Sequence, residues 1–371
     1  MSQPPGDGGR AALVQLAHCL EPGDAAAGAL LARWGPEELL NRLRAGRSGH
    51  ANEEALRTRL RGTADVDAEA RCSRLGARIV TRADREWPSQ FGDLGAAAPL
   101  ALWVMGAGDL RLLALRSVAM VGARACTAYG EEVARSWAAD LAASRWTVVS
   151  GAAFGIDAAA HRGALAASGA TIAVLAGGVD VPYPRAHAPL LAAIADNGLV
   201  VSESPPGEAV RRHRFLSRNR LIACLSRATV VVEAAVRSGA TATAHHAGGL
   251  NRPVLAVPGP VSSPASAGCH RMVKEGVALL AGEVGDVLGA LSLDELPSEN
   301  PTAPEALPDR DALTIRESRI LDAVPGRGSI GFDALVGAAG IAPGQVLAAV
   351  GVLVAEGWLV ESSGGWRLAR R

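Results

Sequence analysis

Four short apolar runs between residues 118 and 260 each end in a small-residue turn and lead into a helix-like stretch. They are Val118-Ala119-Met120-Val121 before Gly122-Ala123-Arg124, Thr147-Val148-Val149 before Ser150-Gly151, Thr171-Ile172-Ala173-Val174-Leu175 before Gly177-Gly178, and Thr229-Val230-Val231-Val232 before Glu233. Each run is too short and too β-branched to favour a helix, and too apolar for an exposed strand. Such runs read as strands of a parallel sheet covered on both faces. Their alternation with helical stretches over 117–290 implies a doubly wound α/β sheet. A glycine at the carboxyl end of a strand lets backbone N–H groups approach a ligand closely. The helix that follows aims its positive end at the same point. Several such ends side by side make an anion site, and the natural anion is a phosphate. A glycine needed only for helix-on-sheet packing explains one such loop easily and four aligned loops poorly.

The rest of the chain falls into smaller pieces. Residues 1–10 are polar and rich in Gly and Pro, and are expected to be a disordered tail. Residues 11–75 read as a small all-helical module of five segments, Ala11–Leu20, Ala25–Trp34, Pro36–Arg44, Glu53–Arg61 and Val66–Leu75. Asp24 serves as a cap, and Gly35 with Pro36 as a stop and a start. Residues 78–81 and 100–105 read as strands leading into the main domain, which is expected to span 77–290. Residues 291–312, dense in Pro, Glu and Asp, read as a linker. Beyond it, 313–371 shows three helical patterns and then a strand, a turn and a strand. That is the winged-helix plan, with an ordinary helical tail as the alternative.

Bulk properties narrow the function classes. With 371 residues, 49% of them apolar, the chain can build two or three cored domains. The formal net charge is zero, so no global positive field advertises a polyanion partner. Lys274 is the only lysine, the other basic residues being arginine, which is first of all a compositional bias. The five cysteines are scattered and show no CxxC or other metal spacing, which suits a reducing compartment. The N-terminus lacks the apolar core of a signal peptide, and no apolar stretch reaches the roughly 20 residues of a membrane span. A cytoplasmic protein without a membrane span is expected. The loop Gly151–Asp157 resembles a dinucleotide loop but lacks the GxGxxG spacing, and GxxxxGK[ST], HExxH and GxSxG are missing from the sequence. No triphosphate-loop, metal-ligand or hydrolase motif is therefore offered.

Among local signals, residues 211–220 are the sharpest: five arginines in ten residues with Phe215 among them. Arg214 and Arg218 fall on one helical face. Arginine offers a planar fork to phosphate oxygens, and phenylalanine a face for a base, worth roughly 1–3 kcal/mol per base. Taken alone, the stretch also reads as a solvated charged helix with Phe215 in the core. Beside an anion-receptive sheet edge, a single-strand binding role is favoured. Ser238-Gly239-Ala240-Thr241 begins another helix and adds a cap open to phosphate. Asp157 and His161 share a helix face four residues apart. They read either as an acid/base pair or, preferably, as a buried structural ion pair, since no nucleophile or metal-ligand cluster accompanies them. His245-His246 reads as helix surface, because adjacent side chains diverge.

Taken in order, these stretches resemble the DprA/Smf family of DNA-processing proteins over residues 77–290. The motifs are Asp84-Arg85-Glu86-Trp87-Pro88, Gly122-Ala123-Arg124 with Thr127-Ala128-Tyr129-Gly130, Ser150-Gly151 through Gly155-Ile156-Asp157 to His161, Gly178-Val179-Asp180 with Tyr183-Pro184, and Phe215 to Arg220. Glu233, Ser238-Gly239, Val257-Pro258-Gly259 and Gly268 complete the set. The resemblance implies an extended Rossmann-like domain that binds single-stranded DNA, forms a homodimer, and loads RecA recombinase onto incoming DNA in natural transformation. It implies no catalytic turnover. An N-terminal SAM-like helical module and a C-terminal winged-helix-like module also occur in that family. By matching positions Arg124 would contact phosphate, Arg212 would stand in for a usual lysine, and Phe215 would stack on a base. The candidate DNA contacts are therefore Gly122, Arg124, Ser150, Gly151, Gly155, Gly177, Gly178, Arg212, Phe215, Arg218, Asn219, Arg220, Ser238, Gly239 and Thr241. Ala123, Leu216, His187 and His270 depart from the family's serine, proline and asparagines, which puts individual contacts in question. A second class is an enzyme or sensor for small nucleotides, of the lysine-decarboxylase-like Rossmann group. Its glycine-threonine loop before a catalytic glutamate is missing ahead of Glu233.

Overall fold

The computed structural model describes residues 7–62, 67–292, 313–326, 328–362 and 364–369. The chain divides into two compact units, Met1–Asp294 and Glu295–Arg371.

The first unit opens with helices α1 (Asp7–Cys19), α2 (Ala25–Trp34), α3 (Pro36–Ala45), α4 (Glu53–Gly62) and α5 (Ala68–Arg74). Residues 7–10, expected in the tail, form the first turn of α1. The reason is Arg10, whose guanidinium donates to Glu69 at 2.5 Å, to Asp84 at 3.3 Å and to the carbonyl of Ile79 at 3.0 Å. The rest of that tail lies outside the described residues. Asp24 caps α2 by accepting the Ala27 N–H at 3.0 Å. Gly35, at φ +73°, ends α2 and lets Pro36 open α3.

The sheet follows in chain order: β1 (Ala77–Thr81), β2 (Ala101–Met105), helix α6 (Leu110–Leu115), β3 (Ser117–Val121), α7 (Ala128–Ala143), β4 (Thr147–Ser150), α8 (Ile156–Ala166), β5 (Thr171–Leu175), α9 (Ala188–Asn197), β6 (Leu199–Ser202), α10 (Arg212–Leu225), β7 (Ala228–Val231), α11 (Gly239–Gly249), β8 (Val254–Ala256), α12 (Ala267–Lys274), β9 (Leu279–Leu280) and α13 (Val284–Ser292). The spatial order is β1-β2-β6-β5-β4-β3-β7-β8-β9. β1 and β2 run antiparallel to each other and β2 antiparallel to β6, while the strands from β6 to β9 are parallel.

Period-two alternation sends successive side chains to opposite faces. Val118 and Met120 pack with Trp137, Leu141 and Ala160 on one face, while Ala119 and Val121 pack with Leu221, Leu225 and Ala244 on the other. Both faces are dry, as the apolar runs required. The chain leaves β3 outward through β4, β5 and β6, then returns to lay β7 on the other side of β3. The connections after β3 and β7 therefore depart to opposite faces and leave a crevice at their carboxyl ends, where doubly wound sheets hold ligands.

The second unit contains α14 (Ile315–Ala323), α15 (Phe332–Ala339), α16 (Pro343–Ala355) and the antiparallel pair β10 (Leu359–Ser362) and β11 (Gly365–Leu368), with Ile330 bridged to Trp366. Thr314 and Glu317 form a reciprocal capping box on α14. Ile320, Leu335, Val346, Leu353 and Leu359 make its core. Of the linker expected over 291–312, Leu291 and Ser292 instead end α13, and 293–312 lies outside the described residues. Among the described residues no single helix is long and apolar enough to cross a membrane.

Candidate nucleic-acid interface

An open cleft of about 810 Å³ occupies the crevice between β3 and β7. The β3–α7 loop, the β4–α8 loop, the β7–α11 loop and the start of α10 form its walls. Gly122 allows the first and third of these to close up, since a Cβ there would lie 3.0 Å from the Glu233 carbonyl oxygen and clash with Ile156. Gly155, at φ +76°, turns the β4–α8 loop so that the Ile156 N–H donates to the Ala123 carbonyl at 3.2 Å.

Of the fifteen candidate contacts, eight line this cleft: Gly122, Arg124, Arg212, Phe215, Arg218, Asn219, Ser238 and Gly239. Arg124 lies over the Phe215 ring with its Cζ 4.7 Å from the centroid. Phe215 in turn tilts against Tyr183, with centroids 5.5 Å apart. Arg212 is exposed beside them. At the far wall Ser238 caps α11 by accepting the Ala240 N–H at 3.1 Å, and the Asn219 side-chain amide donates to the Gly239 carbonyl at 3.2 Å. No acid sits in the first turn of α11, so its positive end is not neutralised locally.

Among the lining residues that the sequence did not mark as site residues are one arginine and one tyrosine. Arg237 stands directly before the α11 cap, and half-exposed Tyr183 pairs with Phe215. The signals were present, a basic residue adjoining Ser238-Gly239 and the Tyr183-Pro184 motif, but neither says which wall its residue joins. Among the described residues, none of Arg124, Arg212 and Arg237 takes part in an ion pair. The cleft thus presents three guanidinium groups outside any ion pair beside an aromatic pair, with Asp157 held under Arg218 on the floor.

Seven candidates do not reach the cleft surface. Ser150 is buried and donates through Oγ to the Met120 carbonyl at 2.6 Å. Gly151 makes room for Arg218, whose Nη1 a Cβ there would overlap, and Gly155 acts through the backbone turn already described. Gly177 and Gly178 are covered by the loop before α10. The Gly178 N–H donates to the Glu208 carbonyl at 2.9 Å, and a Cβ on Gly177 would meet Val210 at 2.8 Å. Arg220 turns away and donates to Glu203 at 2.8 Å. Thr241 is buried in α11. These residues shape the site from behind; the buried Thr241 Oγ1 has no hydrogen-bond partner among the described residues.

Arg218 is intermediate. It forms part of the cleft floor, yet it is 6% exposed and donates to the Val174 carbonyl at 3.0 Å. Burial, opposed by the Asp157 carboxylate and helped by Arg124, lowers its pKa to about 10. Asp157 accepts the N–H groups of Gly151 at 3.2 Å and Ala153 at 3.4 Å, and its burial pushes its own pKa up. The expected Asp157–His161 pairing is therefore corrected: the carboxylate is taken by loop amides and faces Arg218. His161 instead meets Thr171 Oγ1 at 2.7 Å. Thr171 spends its hydroxyl proton on the Val148 carbonyl, so His161 Nδ1 must be the donor. Burial, with Arg218 and His187 nearby, lowers the His161 pKa to about 3 and leaves the ring neutral.

Glu233 accepts from the Thr127 N–H at 2.9 Å and Oγ1 at 2.5 Å, at the start of α7. Its carboxylate is occupied as a helix-start anchor. His187 meets the Ala152 carbonyl through Nδ1 at 2.9 Å and packs edge-on against Phe154 at 4.7 Å. It braces a turn in which Ala152 adopts φ +53°. His270 Nε2 accepts the Gly259 N–H at 3.4 Å. The two histidine departures thus serve backbone turns. His245 and His246 are exposed on α11. Among the described residues no group of three or more His, Cys, Asp or Glu is placed to hold a metal.

The model of the family described as DNA recombination-mediator protein A matches residues 78–292. A DNA processing protein DprA of Mycobacterium tuberculosis is 43% identical over 97% of this chain and 94% of its own length. The X-ray structure of DNA processing protein A from Streptococcus pneumoniae superposes with a TM-score of 0.63 at 34% identity, covering 74% of this chain and 95% of that one. The DNA processing protein A of Helicobacter pylori, solved for its single-stranded DNA binding mode, gives 0.53 at 26% identity over 59% of this chain and 96% of that one. The match of motif order, sheet topology and sequence over most of its length places the chain in the DNA recombination-mediator protein A family, the DprA/Smf proteins.

Proposed function

We propose that the chain is a recombination mediator that grips single-stranded DNA in the β3–β7 cleft. The observation that carries this reading is the Arg124–Phe215 stack, flanked by Arg212 and Arg237, none of the three arginines being in an ion pair among the described residues. Guanidinium groups take phosphates, and an unpaired base stacks on the Phe215–Tyr183 pair. Such contacts read little sequence. Three phosphate contacts predict a log–log salt slope of about −2 for single strands. The finer role in this reading is that of a cytoplasmic homodimer that protects incoming DNA and hands it to RecA in natural transformation, supported by the family resemblance. Within that reading, 313–371 is a winged-helix module joined by the 291–312 linker. No turnover or cofactor is required.

Titrating labelled oligo-dT and a duplex of equal length at two salt concentrations tests the binding claim. Tighter, salt-sensitive binding of the single strand is expected, and equal affinity for both would contradict it. RecA filament formation on DNA coated with a single-strand binding protein, with and without this chain, tests the loading step.

A further inference from the structure

The start of α10 is a poor helix start on its own. Arg211 occupies the cap position without a side-chain cap, and no acid sits in the first turn. Arg211, Arg212, His213 and Arg214 instead place basic residues at the positive end of the helix dipole, where cations are disfavoured. Yet this turn must hold Arg212 and Phe215 over the cleft.

The compensation comes from far away in the chain. Arg214, with its side chain 6% exposed, forks onto Glu21 from Nε at 3.0 Å and Nη2 at 3.3 Å, and donates from Nη1 to Glu208 at 2.9 Å. Glu21 lies between α1 and α2, and also meets Arg59 at 2.8 Å, His213 at 3.2 Å and Arg211 at 3.8 Å. Farther along α10, Arg220 donates to Glu203, which accepts the Gly23 N–H at 3.3 Å. Two buried arginines of one helix therefore hold the same short turn, and a Cβ on Gly23, at φ +79°, would lie only 3.0 Å from Arg220 Nε.

We propose that the α1–α2 turn is a positioning brace for the DNA grip: Glu21, acting through Arg214, fixes the first turn of α10 and so aims Arg212 and Phe215 at the cleft. The proposal rests on the single-strand binding reading above. It makes Glu21 a positioning residue, since it touches no ligand itself. It also predicts a sign opposite to that of simple electrostatics. Removing a negative charge near a polyanion site should tighten binding, whereas releasing the brace should weaken it.

The test is Glu21→Gln in the full chain, with Arg214→Lys as a second variant that keeps charge but loses the fork. Labelled oligo-dT affinity is read beside amide hydrogen exchange of residues 211–216. About a fivefold or greater loss of affinity, of the size common for coupling between sites, is expected with faster exchange in that segment. Unchanged or tighter oligo-dT binding overturns the brace, as does unchanged exchange. Should the wild type itself fail to bind oligo-dT, the DNA reading falls, and the exchange arm still decides whether Glu21 orders the helix start.

Discussion

Arg212 and Arg220 sit on the same helix, eight positions apart, and have opposite fates. Arg212, with Arg124 and Arg237 from neighbouring loops, faces the cleft without an ion-pair partner among the described residues. Arg220, with Arg214 and Arg218, is buried against Glu203, Glu21, Glu208 or a backbone carbonyl. Burying an ion costs several kcal/mol unless a partner compensates, so the second group is committed to the fold. The first group keeps its hydration until a phosphate replaces it, and charge-assisted contacts then form. The difference teaches that an arginine-rich stretch is not a binding patch as such. What makes a guanidinium available is the lack of an acid from elsewhere in the chain.

The largest effect should come from the committed side. Arg218→Ala leaves Asp157 buried without its facing cation and opens space under Gly151; a stability loss of about 3–5 kcal/mol is expected in denaturant unfolding. A loss below about 1 kcal/mol would show that Arg218 is not structural. On the available side, Phe215→Ala should weaken oligo-dT binding by about 1–3 kcal/mol with the melting temperature little changed. Next, Arg124→Ala, Arg212→Ala and Arg237→Ala should each reduce the salt slope by about 0.7 without unfolding the protein. If Arg237→Ala leaves the slope unaltered, that residue does not belong with the other two.

The smallest effect is a pH dependence. Partial burial would raise the Glu21 pKa, but hydrogen bonds from Arg214 and His213, with Arg214 and Arg59 charges, hold it down to about 2. Glu208 and Arg211 complete its charged surroundings. A carboxylate with a depressed folded pKa stabilises the fold above its unfolded value, near 4.5, and that contribution fades as pH falls toward 2. The melting-temperature gap between wild type and Glu21→Gln should therefore narrow between pH 5 and about 2.5. A gap that stays constant would mean that Glu21 carries no shifted titration.

Much of the architecture was legible because both faces of the central strands are dry, which leaves runs such as Thr171–Leu175 without polar interruption. The order of small-residue turns also placed Gly122, Arg124 and Ser238-Gly239 on one edge. The strands β8 and β9, three and two residues long, carried too little to stand out. Long-range pairing was invisible: Glu21 and Arg214 are 193 positions apart, and no local rule selects that partner. Helical spacing suggested that Asp157 and His161 meet, but it could not show that loop amides and Thr171 capture them first. Gly177 and Gly178 looked like a ligand loop because the covering residues, Glu208 and Val210, come thirty positions later.

The most direct test compares Arg212→Ala with Arg220→Ala in parallel oligo-dT salt titrations and thermal melts. The Arg212 change should lower the salt slope by about 0.7 and leave the melt in place, while the Arg220 change should lower the melting temperature and preserve the slope. A reduced slope with an unchanged melt for Arg220→Ala, together with no slope change for Arg212→Ala, would contradict this assignment.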